Sequence, residues 1–493
     1  MCVRATNLPQ CSKIDYAEST KIRVAFFWCS VAVLLLMASL PEAHFSCVLP
    51  NNAADIEWLG MRILFKMLSF FIGAAMLAAG SGIATAQSIQ QKPPISAQGL
   101  NGKHIAGYQG WFSCDSDTPD RRWPRWFNGR SPDNGRMTFD LWPDTSEFPE
   151  EDTCPTPFLL PSGQPARVFS SLNPRVVARH MRWMERFDID IAALQRFVAG
   201  LIDPASRKRR DTVLANLRAA TRGTGRGYFV MYDISGADPA TWAETLLADW
   251  KKLTTENRIL DDPNYVRQNG RPVLVIWGFG FKDRPATPGQ SLDLIEALTR
   301  TGGATPPFII GGVPTYWRQR INDQLPDPLW EDVYARLDGL SPWTVGRFAD
   351  EAGAANLAKN VMAPDMAWTA ARGKLYIPVI FPGFSFANGG NSPERYNKIP
   401  RRCGRFYWSQ VRATVGLGAQ TLYTAMFDEV DEGTAIMPVA PTAREAPPNA
   451  KTVTLDQDGC TLPPTYYLDL AGKATKALRA GYTKQFEFIP QDP

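Results

Sequence analysis

From residue 104 onward, short apolar runs alternate with stretches whose apolar positions fall three and four apart. Runs of the first kind read as buried strands, those of the second as amphipathic helices. The pattern predicts strands at 104–112 (HIAGYQGWF), 188–197 (DIDIAALQRF), 227–234 (GYFVMYDI), 272–279 (PVLVIWGF), 307–313 (PFIIGGV), 338–344 (DGLSPWT), 375–381 (LYIPVIF) and 421–428 (TLYTAMFD). Helices are predicted between them at 174–187, 207–222, 239–254, 289–302, 326–336, 350–360 and 404–416, with a last one at 464–480. Proline at the first turn marks several starts, as in Asn173-Pro174 and Asp238-Pro239.

Eight strand–helix pairs are the repeat of an α/β (β/α)8 barrel of the TIM type, here with a long insertion, 113–173, after strand one. A doubly wound open sheet is the alternative, although no glycine-rich phosphate loop follows an early strand. In a barrel the functional face is the one at the carboxyl ends of the strands. Those ends carry Tyr108 and Trp111, Gln195, Asp233, Trp277, then Tyr316 and Trp317, Trp343, Asn388 and Asp428. Singly, each has packing or loop capping as its default role. Together they describe a polar, aromatic-lined cleft of the kind that binds carbohydrate.

The last strand runs into Phe427-Asp428-Glu429-Val430-Asp431-Glu432-Gly433-Thr434, four carboxylates in five positions. Like charges this close resist ionising together, which suits a site needing one protonated and one ionised carboxyl. A solvated acidic turn, or a site in which Asp428, Glu429, Asp431 and Glu432 hold a hard cation, are the competing readings. Cleavage of a glycosidic bond generally needs two carboxyl groups flanking it. If the chain turns at the strand end, Glu429 and Glu432 face one cavity, and Gly433 permits the change of direction. Asp428 and Asp431 would then raise the proton affinity of a neighbour. Beyond residue 86 the only histidines are His104 and His180, so a Ser-His-Asp triad or a multi-histidine metal centre would exhaust the supply. No cofactor and no metal are expected.

The start of the chain changes the cysteine count. Met61 to Lys66 is a basic n-region, Met67 to Gly80 an apolar stretch, and Ala84-Thr85-Ala86 a cleavage pattern, so 61–86 reads as a signal peptide. Residues 1–60 read as a misassigned extension, or as an anchor through the apolar segment 24–40. The catalytic domain is then 87–493, secreted or periplasmic. It keeps Cys114, Cys154, Cys403 and Cys460; four cysteines permit three connectivities, and proximity favours Cys114–Cys154 with Cys403–Cys460. A net charge of +4 points to no nucleic-acid partner, and Arg207-Lys208-Arg209-Arg210 reads as a solvated helix face. A monomer acting on a carbohydrate, with no membrane partner unless 24–40 is an anchor, is the expectation.

The motif Glu429-Val430-Asp431-Glu432-Gly433-Thr434 resembles the E-x-x-E-G-T segment of glycoside hydrolase family 99, the endo-α-mannosidase-like enzymes. Ser170-Ser171-Leu172-Asn173-Pro174, continuing through His180-Met181-Arg182-Trp183 to Phe187-Asp188-Ile189-Asp190, is similar to that family's stretch from first helix to second strand. Gly107-Tyr108-Gln109-Gly110-Trp111-Phe112 resembles the opening of family 71/99-like relatives labelled xylosidase/arabinosidase. The resemblance implies a retaining glycosidase in which Glu432 is the general acid/base and Glu429 the base that activates the sugar's own 2-hydroxyl. Two departures stand out: Phe427-Asp428 replaces the family's Trp-Asn, and Val430-Asp431 replaces an aromatic between the glutamates. Mannose specificity is therefore not carried over, and a sugar-binding barrel without catalysis is the alternative.

Overall fold

The structure is a computed structural model and describes residues 99–118, 122–300 and 305–481. The extension, signal peptide and apolar segment expected before residue 87 lie outside the described residues. In chain order the strands are β1 (Lys103–Tyr108), β2 (Thr153–Leu159), β3 (Pro165–Phe169), β4 (Ile191–Phe197), β5 (Gly227–Asp233), β6 (Arg267–Gln268), β7 (Arg271–Trp277), β8 (Phe308–Pro314), β9 (Gly339–Trp343), β10 (Leu375–Tyr376), β11 (Val379–Ile380) and β12 (Thr421–Thr424). The helices are α1 (Pro174–Arg186), α2 (Pro204–Thr224), α3 (Trp242–Thr255), α4 (Pro288–Thr299), α5 (Trp330–Arg336), α6 (Glu351–Leu357), α7 (Ala363–Ala370), α8 (Arg405–Gly416) and α9 (Tyr466–Ala480).

The parallel neighbours run β9, β8, β7, β5, β4, β1, β12. The ring closes through 375–380: β10 pairs with β9, whereas β11 pairs with β12. Pro378 sits between the two short strands and has no N–H to donate. The chain changes partner there, Ile377 N–H donating to Leu340 O (2.9 Å) and Pro378 O accepting from Tyr423 N–H (3.0 Å). The eight expected strands thus form the expected (β/α)8 barrel. β1, β5 and β8 are buried along their whole length, which is why they read as continuous apolar runs and not as alternating ones.

Several element ends differ from expectation, each for a local reason. β1 stops at Tyr108 because the N–H groups of Gln109 and Gly110 go to the Asp428 carboxylate and not to a neighbouring strand (2.7 and 2.8 Å). α1 starts at Pro174 under an Asn173 cap, as read, but α3 starts at Trp242, since Asp238 ties Ala240 N–H into a preceding turn (2.8 Å). The helix expected at 350–360 continues to Ala370: Pro364 cannot donate to the preceding turn, and a π-helical segment, Ala358–Met362, absorbs the mismatch.

The insertion packs as an aromatic cluster in which Trp126 meets Phe112, Phe139 and Phe169, beside the β2–β3 hairpin. The disulfides are Cys114–Cys154 and Cys403–Cys460, as sequence proximity favoured. Two contacts fasten the insertion to the barrel top. Buried Asp140 accepts from the Ala387 and Asn388 N–H groups (2.7 and 2.9 Å) and from the Ser385 hydroxyl. The N–H groups of Asp140 and Leu141 donate to Val430 O, inside the acidic run (3.1 and 3.0 Å). No helix among the described residues is long and apolar enough to cross a membrane.

Candidate active site

Beyond β12 the four carboxylates part company. Asp428 is wholly buried and spends both oxygens on the β1 terminus, accepting from Gln109 and Gly110 N–H. Glu429, 4% exposed, accepts from Gln109 Nε2 at Oε1 and from the Thr434 hydroxyl at Oε2, both at 2.6 Å. Asp431 lies 3.9 Å from the Arg125 guanidinium, and its Oδ1 has no hydrogen-bond partner among the described residues. Glu432 faces the same cavity as Glu429. The turn that brings the two glutamates together needs Gly433, which has φ +67° and lies so close to Ser385 that a Cβ would sit 2.7 Å from its N. Ser385 N–H in turn donates to Glu432 O (2.9 Å), fixing the turn. Among the described residues no three His, Cys, Asp or Glu side chains converge as a metal site would require.

The environments differ in a way that matters chemically. Burial raises the proton affinity of both glutamates. At Glu429 the hydrogen bonds from Thr434 and Gln109 oppose that rise by stabilising the carboxylate, and Arg125 helps them. At Glu432 the neighbouring charges of Glu429 and Asp431 add to burial, so its carboxyl is held well above the ordinary range. Asp428 is pushed up to about 7, chiefly by burial. The donors to Glu429 stabilise its carboxylate whereas Glu432 meets other acidic groups, so Glu429 is the easier of the two to ionise.

These side chains stand in a cavity of about 360 Å³ at the carboxyl end of the barrel. Of the residues expected from sequence, Trp111, Gln195, Asp233, Trp277, Trp343, Glu429 and Glu432 line it together. Gln195 Nε2 donates to Asp233 Oδ2 (2.8 Å), holding one polar wall. Trp277 meets Trp343 edge-on with ring centres 5.1 Å apart, and Gly312 leaves the space its indole fills. Trp111 stacks on Phe197, and the Arg125 guanidinium lies 3.8 Å from the Trp111 ring centre.

Five expected residues are placed elsewhere. Gly107 faces the barrel interior, so Tyr108, the next residue in the strand, faces α1 and shares a 2.9 Å hydrogen bond with His180. Trp317 is buried against Tyr334 and Trp368, and Tyr316 packs on Tyr376 and its neighbours. Asn388 donates from Nδ2 to the Phe139 and Lys451 carbonyls (both 2.9 Å). Asp428 is a strut under the site and not part of its lining. Both described histidines are structural: His104 is locked between Thr424 and Thr475, His180 against Tyr108. Arg125, Arg284 and Tyr423 line the cavity without having been singled out from sequence. Arg125 comes from the irregular insertion, where no periodicity flags a residue. Tyr423 lies inside an apolar strand, where an inward aromatic reads as core.

No protein-family model matches the chain, and no curated protein matches it. Among solved structures, an endo-α-mannosidase of glycoside hydrolase family 99 from Bacteroides thetaiotaomicron is 18% identical, with a TM-score of 0.56 over 77% of this chain and 98% of that one. The same enzyme in complex with bis-tris propane is 17% identical, with a TM-score of 0.55 over 77% and 98%. The chain therefore has the barrel fold of a family 99 endo-α-mannosidase over nearly the whole length of that enzyme, as the E-x-x-E-G-T motif led one to expect.

Proposed function

We propose that the protein is an exported glycoside hydrolase that cleaves O-glycosidic bonds in an oligo- or polysaccharide with retention of configuration. The observation that carries the reading is the unequal pair in one cavity: Glu429, clasped by Gln109 and Thr434, and Glu432, half-buried near the Glu429 and Asp431 carboxyls. Glu432 gives its proton to the leaving oxygen as the C1–O bond breaks. Glu429 takes the proton of the sugar's 2-hydroxyl, and O2 closes on C1 from the opposite face to form a 1,2-anhydro sugar. Water then attacks C1 as the C1–O2 bond breaks, losing a proton to Glu432, while Glu429 returns its proton to O2. Two inversions at C1 give net retention. Trp111, Trp277 and Trp343 offer apolar faces to sugar rings, and the Gln195–Asp233 pair offers hydrogen bonds to hydroxyls. Two disulfides agree with an oxidising compartment.

The test is Glu432→Gln, assayed against a panel of oligosaccharides with products read by mass. Losing a positioned general acid lowers turnover by about 10²–10⁴-fold, while circular dichroism and melting stay near wild type. Undiminished hydrolysis by this variant would sink the assignment.

A further inference from the structure

Next to the acidic run lies a second cavity, of about 460 Å³, lined by Arg122, Arg125, Arg209 and Asp431 together with the rings of Phe127 and Phe386. Arg125 belongs to both cavities, so the second adjoins the candidate active site across one side chain. Taking the hydrolase reading as its basis, we propose that this cavity is a subsite for an anionic substituent (a carboxylate, sulfate ester or phosphate ester) on the glycan.

Among the described residues that line the cavity, Arg125 and Arg209 share it with one carboxylate. That carboxylate compensates poorly. Asp431 stands 3.9 Å from Arg125, and burial, reinforced by Glu429, favours its protonated form. Its side chain is 5% exposed, and Oδ1 has no hydrogen-bond partner among the described residues. Protonated, Asp431 can donate to an incoming oxyanion. Arg209 has no ion-pair partner among the described residues. It stands close enough to Arg210 to lower that group's proton affinity, as Arg196 and Arg125 also do after burial, which dominates. Excess positive charge is therefore a property of this corner.

The basic run read from sequence as a solvated helix face is thus only partly that. Lys208 is exposed, whereas Arg209 turns into the cavity and Arg210 lies over Phe197. Neutral hydroxyls would leave the Arg209 charge uncompensated. An oxyanion matches their forked donors, and Phe127 and Phe386 can carry the sugar ring that bears it.

The test uses the whole chain with Glu432→Gln, so that binding is read without turnover. The probes are matched oligosaccharides that are neutral, uronate-containing, sulfated or phosphorylated, titrated calorimetrically. At least one acidic member should bind about tenfold more tightly than its neutral match, and which one does identifies the substituent. The preference should shrink as salt rises from about 50 mM to about 500 mM, and Arg209→Gln should bring it close to unity. Acidic members binding no better than neutral ones, or a preference that survives both added salt and Arg209→Gln, would overturn the subsite. Turnover by the wild-type chain on the same panel is scored separately. No product from any member refutes the hydrolase reading, whereas the binding ratios alone decide the subsite.

Discussion

Thr434→Val isolates the clasp on Glu429, the proposed base. Valine keeps the shape of a side chain that is wholly buried and deletes one hydroxyl, the donor to Glu429 Oε2 at 2.6 Å. A hydrogen bond to a charged group is worth about 1.5–3 kcal/mol. At 1.36 kcal/mol for each pKa unit, its loss raises the Glu429 carboxyl by roughly one to two units. Gln109 still holds Oε1, so the side chain stays in place. Because the base must be ionised to act, the acid limb of kcat/KM should move to higher pH by that amount, while the rate above the limb stays within a few-fold. The same shift has a stability consequence of fixed sign. Burial already places the folded-state pKa of Glu429 above its unfolded value. The resulting penalty is absent below the unfolded pKa and grows as pH rises towards the folded one. The variant, with the higher folded pKa, should therefore lose stability relative to wild type between about pH 5 and about pH 8, as read by urea unfolding at both. An acid limb that does not move, with a stability gap equal at both pH values, would refute the clasp.

Two further outcomes follow from the same loop and its supports. Gly433→Ala places a side chain at φ +67° and within 2.7 Å of Ser385 N, so it should cost more than about 2 kcal/mol in denaturant unfolding and abolish turnover by moving Glu432. Replacing Cys403 and Cys460 together by alanine opens a loop of sequence separation 57 and should cost about 4 kcal/mol, with a matching fall in melting temperature, whereas unchanged melting would mean the bridge constrains nothing.

Much of the fold was written in local pattern. Eight apolar runs with helical stretches between them specify a helix-covered parallel sheet, because such strands must be apolar on both faces, and their number suits a barrel. Prolines and caps placed helix starts such as Asn173-Pro174 for a reason confined to neighbouring residues. Where the pattern overshot, the competitor was distant in sequence: β1 ends where Asp428, from the far end of the chain, takes its next two N–H groups. The acidic run was legible as a cluster, but a solvated turn or a cation site could be read from it equally, and only the fold places Glu429 and Glu432 in one cavity. The roles of its neighbours were not legible. Whether an aromatic at a strand end lines the cleft or fills the core depends on which side of the strand it leaves, and Tyr108 and Trp111 fall on opposite outcomes. Arg125 reaches Trp111 from an irregular insertion, and Arg209 reaches the second cavity from a helix that looked merely solvated. The sequence alone determined the strand–helix alternation and the cluster of acids after the last strand, because periodicity and charge repulsion act between near neighbours. Tertiary structure closed the barrel and decided which acid is clasped, because that depends on strand partners and donors hundreds of residues away.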